Sequence, residues 1–146
     1  MVAYNKFQDF VEQVLSGKHD FTAAGHVFRI YLSNTVPSAS LDAVKADLAE
    51  IAGGSGYTAG GEDTQNTLAE ATGTATVTGT KVVWTAAGGT IGPFQYVVLY
   101  NDTQTSPLDP LVAWWDYGSA LTLQIGETFT VKFNNGDPTG TILTLA

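Results

Sequence analysis

Residues 127–133 read Glu-Thr-Phe-Thr-Val-Lys-Phe, and their alternation is unbroken: Phe129, Val131 and Phe133 fall on one face, Thr128, Thr130 and Lys132 on the other. A period of two is the repeat of a β-strand with one face buried and one in water. Working outward, similar segments recur at Gly73–Gly79, Lys81–Ala86, Phe94–Tyr100, Leu111–Tyr117, Leu121–Gln124 and Thr141–Leu145. Turn formers separate them: Gly88-Gly89, Gly92-Pro93, Asn101-Asp102, Gly118-Ser119, Gly126 and Asn135-Gly136-Asp137-Pro138. Short strands at this spacing predict a sandwich or barrel.

The N-terminal part reads differently. Phe7, Phe10, Val11, Val14 and Leu15 form one helical stripe, which predicts a helix over about 5–16 with Asn5 as N-cap and Gly17 as the stop. Val27–Leu32 is a dense strand-like run. Leu41, Val44, Leu48 and Ile51 are spaced by three, four and three, which predicts a short helix or helical turn over Leu41–Ile51, with Ser40 as N-cap and Gly53-Gly54 as the stop. Residues 52–72 carry five glycines, Gly53, Gly54, Gly56, Gly60 and Gly61, and read as a flexible, exposed loop with Tyr57 as its only aromatic. The expected fold is mainly β: an antiparallel β-sandwich, jelly-roll-like or immunoglobulin-like, in one domain spanning 1–146.

Composition narrows the function classes. Of 146 residues 44% are hydrophobic and 14% charged, below the roughly one-quarter charged usual in soluble domains. The net charge is −8 with six basic residues, a balance that repels nucleic-acid phosphates and anionic membrane surfaces. No nucleic acid and no membrane is expected as a partner. The absence of cysteine removes disulfides, zinc-thiolate sites and thiol nucleophiles. The start, Met-Val-Ala-Tyr-Asn-Lys-Phe, lacks the apolar region of a signal peptide, and no apolar run approaches a membrane span.

Reactive constellations are sparse. His19 and His26, seven apart across a helix end, do not have zinc-ligand spacing. No Gly-x-Ser-x-Gly or phosphate loop is present. Asp102, Asp109 and Asp116 near Trp114, Trp115 and Tyr117 are the carboxylates and aromatics a glycosidase or a sugar-binding groove would use. In an alternating strand one of Trp114 and Trp115 points inward and the other outward. Asn134-Asn135-Gly136-Asp137 reads as a hairpin turn rather than a calcium loop. The expectation is therefore a non-enzymatic module with no catalytic residue, cofactor or metal.

Five segments together resemble a family of small structural proteins of tailed bacteriophages. They are Tyr4-Asn5-Lys6-Phe7 with Phe10-Val11-Glu12; Leu32-Ser33-Asn34-Thr35 with Pro37; Asp47 to Gly61; Gly89 to Asp102; and Trp115-Asp116-Tyr117-Gly118 with Gly126 to Val131. The resemblance implies a virion component assembled in the bacterial host cytoplasm and displayed on the particle surface. It favours a head decoration, or cement, protein that binds the major capsid protein and copies of itself as a homotrimer. A tail or fibre component is the alternative, and a carbohydrate-binding module is a second.

Contacts of that kind are expected in three regions. The first is the N-terminal segment, with Met1, Val2, Ala3 and Tyr4. The second is the glycine-rich loop Gly53–Thr67, with Tyr57 and Thr58. The third is the Asn101–Pro110 loop, with Asp102, Thr103, Pro107 and Pro110. Trp115 is added as the exposed aromatic.

Overall fold

A run such as Tyr96-Val97-Val98-Leu99-Tyr100 has no polar face, and a strand of this kind is stable only when both faces are covered. The computed structural model, which describes residues 2–146, places it at the centre of the molecule. In chain order the elements are β1 (Asn5–Lys6), α1 (Asp9–Leu15), β2 (Phe28–Ser33), β3 (Glu62–Asp63), β4 (Thr67–Ala71), β5 (Thr74–Thr80), β6 (Val82–Thr85), β7 (Ile91–Asn101), β8 (Leu111–Leu123), β9 (Thr128–Val131) and β10 (Thr139–Leu145). Single 3-10 turns occur at Lys45–Asp47 and Phe133–Asn135. The strands form three sheets, ordered β1-β8-β7-β2-β3, β10-β5-β4 and β6-β9, and every pairing is antiparallel. The protein is a mainly β, antiparallel sandwich with one α-helix. No helix among the described residues is long and apolar enough to cross a membrane.

The five-stranded sheet is buried on both sides. Ile30, Leu32, Val97 and Leu99 point into the main core, against Val77, Trp84 and Ile142 from the two smaller sheets and Phe133 from the 3-10 turn between β9 and β10. Tyr31, Tyr96, Val98 and Tyr100 point the other way, into a second core with Phe7, Leu48 and Leu111. Each such side chain contributes roughly 1.5–3 kcal/mol by leaving water.

The N-terminal helix is shorter than its periodicity suggests. Asn5 and Lys6 pair with Trp114 and Ala113 as the edge strand β1, so Asn5 is no N-cap. Phe7 then enters the second core while Phe10 enters the main one, so the two rings belong to opposite faces of the sheet rather than one stripe. The C-terminal end is as expected. Gly17, at φ +76°, lets its own N–H reach Val14 O at 3.1 Å and the Lys18 N–H reach Gln13 O at 2.9 Å, a Schellman cap.

Of the expected helix or helical turn, only the 3-10 turn Lys45–Asp47 forms. Val44 is extended and bridges Pro110, the Lys45 N–H donates to Asp109 O, and the Leu111 N–H donates to Ala43 O. The Asp47 carboxylate accepts the N–H groups of Ala43 and Val44, both at 3.0 Å, so a local side-chain bond and a strand neighbour outcompete the helix. These bonds hold the Asp47 carboxyl below the usual carboxylate range. The helical spacing was incidental: Leu48 is buried and Leu41 is 80% exposed.

Other boundaries shift for reasons of pairing. Residues 52–72, expected as a flexible loop, contain β3 and β4. Leu111–Tyr117 and Leu121–Gln124 are one strand, β8, and Gly118-Ser119 is a bulge within it. There the Asp116 carboxylate accepts the Gly118 N–H at 2.7 Å and the Gln95 side chain at 2.9 Å. Gly92-Pro93 likewise lies inside β7, where the register against β8 shifts. Asn134–Asp137 is not a hairpin turn, because β9 pairs with β6 and β10 with β5. It is a crossover between sheets, with Asn134 and Asn135 in the left-handed region and Asp137 held by Lys81 and Lys132, each at 2.7 Å. The two lysines draw the exposed Asp137 carboxyl down to about 2.

Truncating Ile30, fully buried at the centre of β2, is expected to cost about 2–5 kcal/mol in urea unfolding. Leu41→Ala in the same assay is expected to stay within about 0.5 kcal/mol; a helical Leu41 packed on the sheet would instead give a large loss.

Candidate functional site

The three regions expected to make contacts differ sharply in how the fold holds them. Val2, Ala3 and Tyr4 are exposed and extended, leading into β1. Tyr4 leans edge-on against Trp115, centroids 5.8 Å apart, and burial of its hydroxyl pushes the phenol up to about 12. Met1 lies outside the described residues.

The glycine-rich loop is not free. Tyr57 is only 3% exposed; its hydroxyl donates to Glu50 Oε1 at 2.7 Å and accepts the Leu32 N–H at 3.0 Å. Burial raises its pKa. Glu50 also accepts the Gly60 N–H and pairs with Lys45 Nζ, both at 2.7 Å. Lys45 in turn lies over the Tyr31 ring, 4.9 Å from its centroid. Glycine is required where the loop meets β2: Gly61 has φ +73°, and a Cβ there would strike the Ile30 carbonyl. Tyr57 is therefore a tether between loop and sheet, and only Thr58 of that pair faces solvent.

The Asn101–Pro110 loop is pinned at both ends and exposed at its tip. Pro110 is buried and Pro107 half-buried, so Pro110 is no contact residue, whereas Asp102 and Thr103 are exposed. Asp102 pairs with Arg29, Nε to Oδ2 3.1 Å. Thr103 Oγ1 accepts the Val27 N–H at 2.9 Å. Leu108, which sequence reading passed over, is 62% exposed. It lies close in sequence to Asp109, whose carbonyl bonds the Leu41–Lys45 segment, so Leu41 and Leu108 lie on neighbouring, linked loops.

Asn101 explains this anchoring. It is fully buried, and its Oδ1 accepts the N–H groups of Thr103 and Gln104 at 3.0 and 3.1 Å. That fixes the amide so that Nδ2 faces Lys18 O at 3.2 Å, His19 Nδ1 at 3.0 Å and His26 Nδ1 at 2.9 Å. A donor in this position meets a lone pair on His19 Nδ1, so the proton of the neutral His19 ring sits on Nε2. Burial among Phe10, Phe21 and Phe28, then the charge of His26, lowers the His19 pKa to about 4. The histidines thus meet through an asparagine rather than a metal, and no group of three or more metal-ligating side chains gathers among the described residues.

Of the three carboxylates, Asp102 and Asp109 share one loop, where burial and then the Asp102 charge raise the Asp109 pKa. Asp116 sits apart from them in the β8 bulge. Trp114 and Trp115 face opposite sides of the sheet as expected, but both are half-buried. Trp114 packs on Phe7 at 4.6 Å and Trp115 on Phe133 at 5.7 Å, so neither is a free-standing exposed ring. Trp115, Tyr117 and Phe129 line a shallow groove of about 290 Å³.

A larger concavity went unseen in the sequence. An apolar cleft of about 1100 Å³ separates α1 from the β10-β5-β4 sheet, with Val2–Tyr4 and Trp115 along its side. Val11, Val14 and Leu15 border it from the helix, and Leu68, Leu143 and Leu145 from the sheet. The chain matches no family model, no curated protein and no solved structure.

Two outcomes test these anchors. Tyr57→Phe removes a buried hydroxyl that two groups depend on, and is expected to destabilise the fold by about 1–3 kcal/mol; an unchanged urea midpoint would return Tyr57 to the surface. His19 binds a proton near pH 4 when folded and near 6.5 when unfolded. Its contribution is complete above about 6.5 and is lost as pH falls toward 4. The melting temperature should therefore drop between pH 7 and 4.5, and by less in His19→Phe; equal drops would contradict the assignment.

Proposed function

We propose that this protein is a structural component of a tailed-bacteriophage particle, a decoration protein that binds the outside of the head and stabilises it. The resemblance of the five segments supports the reading. The structural observation that carries it is the open apolar cleft on a small, strongly acidic molecule. A contiguous apolar patch of this kind is often functional, and association is one of its common uses. The side chains that would make an active site are engaged with one another instead: Glu50 with Lys45 and Tyr57, Asp102 with Arg29, and Asn101 with both histidines.

In this reading the partner is the major capsid protein. The tip of the Asn101–Pro110 loop and its neighbour around Leu41 present aliphatic side chains on a pinned backbone, which lowers the ordering entropy of docking. A protein of this kind binds preformed heads stoichiometrically and raises the temperature at which they rupture. Leu108→Asp should weaken head binding at least about tenfold, as expected when an apolar contact is replaced by a charge, with the melting temperature of the free protein unchanged. Heads equally fragile with and without the protein would overturn the decoration reading, and label confined to tails would assign it there.

The groove of Trp115, Tyr117 and Phe129 favours a second reading, a carbohydrate-binding module, because Tyr117 is 49% exposed beside it. Titration with host polysaccharide would then change tryptophan fluorescence, and an unchanged signal would remove that reading.

A further inference from the structure

Edge strands normally carry devices against pairing with another molecule: short length, charge, proline or cover. Most edges here have them. β1 and β3 are two residues long and carry Lys6, Glu62 and Asp63. β4 carries Glu70. β6 and β9 have four residues each and are flanked by Lys81 and Lys132. β10 is the exception, since its seven residues, Thr-Gly-Thr-Ile-Leu-Thr-Leu, hold no charge and no proline.

One side of β10 pairs with β5. On the other side, no hydrogen bond among the described residues reaches Thr141–Leu145. Five successive residues, Thr141 to Leu145, border the cleft, so the strand's edge as well as its inner face opens onto it. Leu143 is half-buried, Leu145 is 65% exposed and, across the cleft, Leu15 of α1 is 84% exposed. The cleft is also the electrically quiet part of a chain of charge −8: its charged lining is one cation, Lys6, and one carboxylate, Asp20. Two copies can meet here without the repulsion that their remaining surfaces impose.

We propose that the outer edge of β10 is a self-association surface, on which a second copy adds its own β10 antiparallel about a two-fold axis. A strand without charge is complementary to itself in this arrangement, and a two-fold contact closes without leaving a free edge for a third copy. The pair of three-stranded sheets becomes one six-stranded sheet, β4-β5-β10 joined to β10-β5-β4. With the axis normal to that sheet, both apolar faces lie on the same side, and the two clefts merge over Leu143 and Leu145. Backbone hydrogen bonds supply the affinity and the leucines exclude water. This goes beyond the decoration reading, with which it shares the cleft, and is tested apart from it because the contact forms between free copies.

The test is sedimentation equilibrium and native mass spectrometry of the purified wild-type chain and three variants, without phage particles. Wild type is expected at twice the 15.4 kDa chain mass. Leu145→Lys and Thr144→Lys each bring two like charges into the uncharged seam, one from each copy, close to the axis. Each should raise the dimer dissociation constant at least about tenfold while leaving the circular dichroism spectrum intact. Ile125→Lys, in the exposed turn between β8 and β9 and outside the cleft lining, should leave the dimer unchanged. Hydrogen exchange at Thr141–Leu145 should slow as concentration rises. A monomeric wild type, a trimer, a dimer indifferent to both β10 variants, or a monomer that carries a bound apolar small molecule would each overturn the proposal. Head binding is measured separately, so loss of either result leaves the other standing.

Discussion

From Val97 to Asn101, β7 is enclosed on both faces as well as along both edges, and an enclosed strand can satisfy its backbone only through β2 and β8. That requirement organises the molecule. The main core forms on one face, under the two smaller sheets, and the second core forms on the other. Phe7, Leu48 and the segment around Lys45 are drawn across the sheet to cover it. The long irregular stretch between β2 and β4 is the cover that a two-faced sheet demands, and this is why it does not wander into solvent.

Covering a sheet with loops raises a second problem, since loops bring polar backbone into dry places. Two side chains meet it, Asn101 fully buried and Glu50 partly so. Glu50 collects Lys45, Tyr57 and the Gly60 N–H beneath the glycine-rich segment. Asn101 ties the link after α1 to the loop after β7. Each is stabilising only while its partners are present, because an unmet buried polar group costs more than its bond contributes. The surfaces proposed for partners, the loop tip around Leu108 and the cleft between α1 and β10-β5-β4, lie at the margins of these two hubs.

Much of the architecture was legible in one dimension. Alternation in Glu127–Phe133, the dense run of β2 and the turn residues marked strands, and Gly17 marked the end of α1. What misled was periodicity without context. Leu41, Val44, Leu48 and Ile51 keep helical spacing, yet a strand neighbour at Pro110 and the Asp47 carboxylate claim that backbone. Phe7 and Phe10 share a helical stripe on paper, yet a sheet lies between them. Glycines 53–61 suggested mobility, whereas Gly61 is a point of closest approach to β2. Of the contact residues read from the chain, Val2, Ala3, Tyr4, Thr58, Asp102 and Thr103 reach the surface, and Tyr57 and Pro110 do not.

By itself, then, the sequence determined composition-level and local properties: an acidic chain, β-strands of period two, turns at glycine and asparagine, and no thiol chemistry. These depend on residues near one another along the chain. Only the tertiary structure decided which strands share a sheet, that the central sheet is buried twice, that two histidines meet at Asn101, and that β10 keeps an open, uncharged edge beside an apolar cleft. Those features join residues far apart in sequence, as Lys18 and His26 join Asn101, and no local pattern records such a pairing.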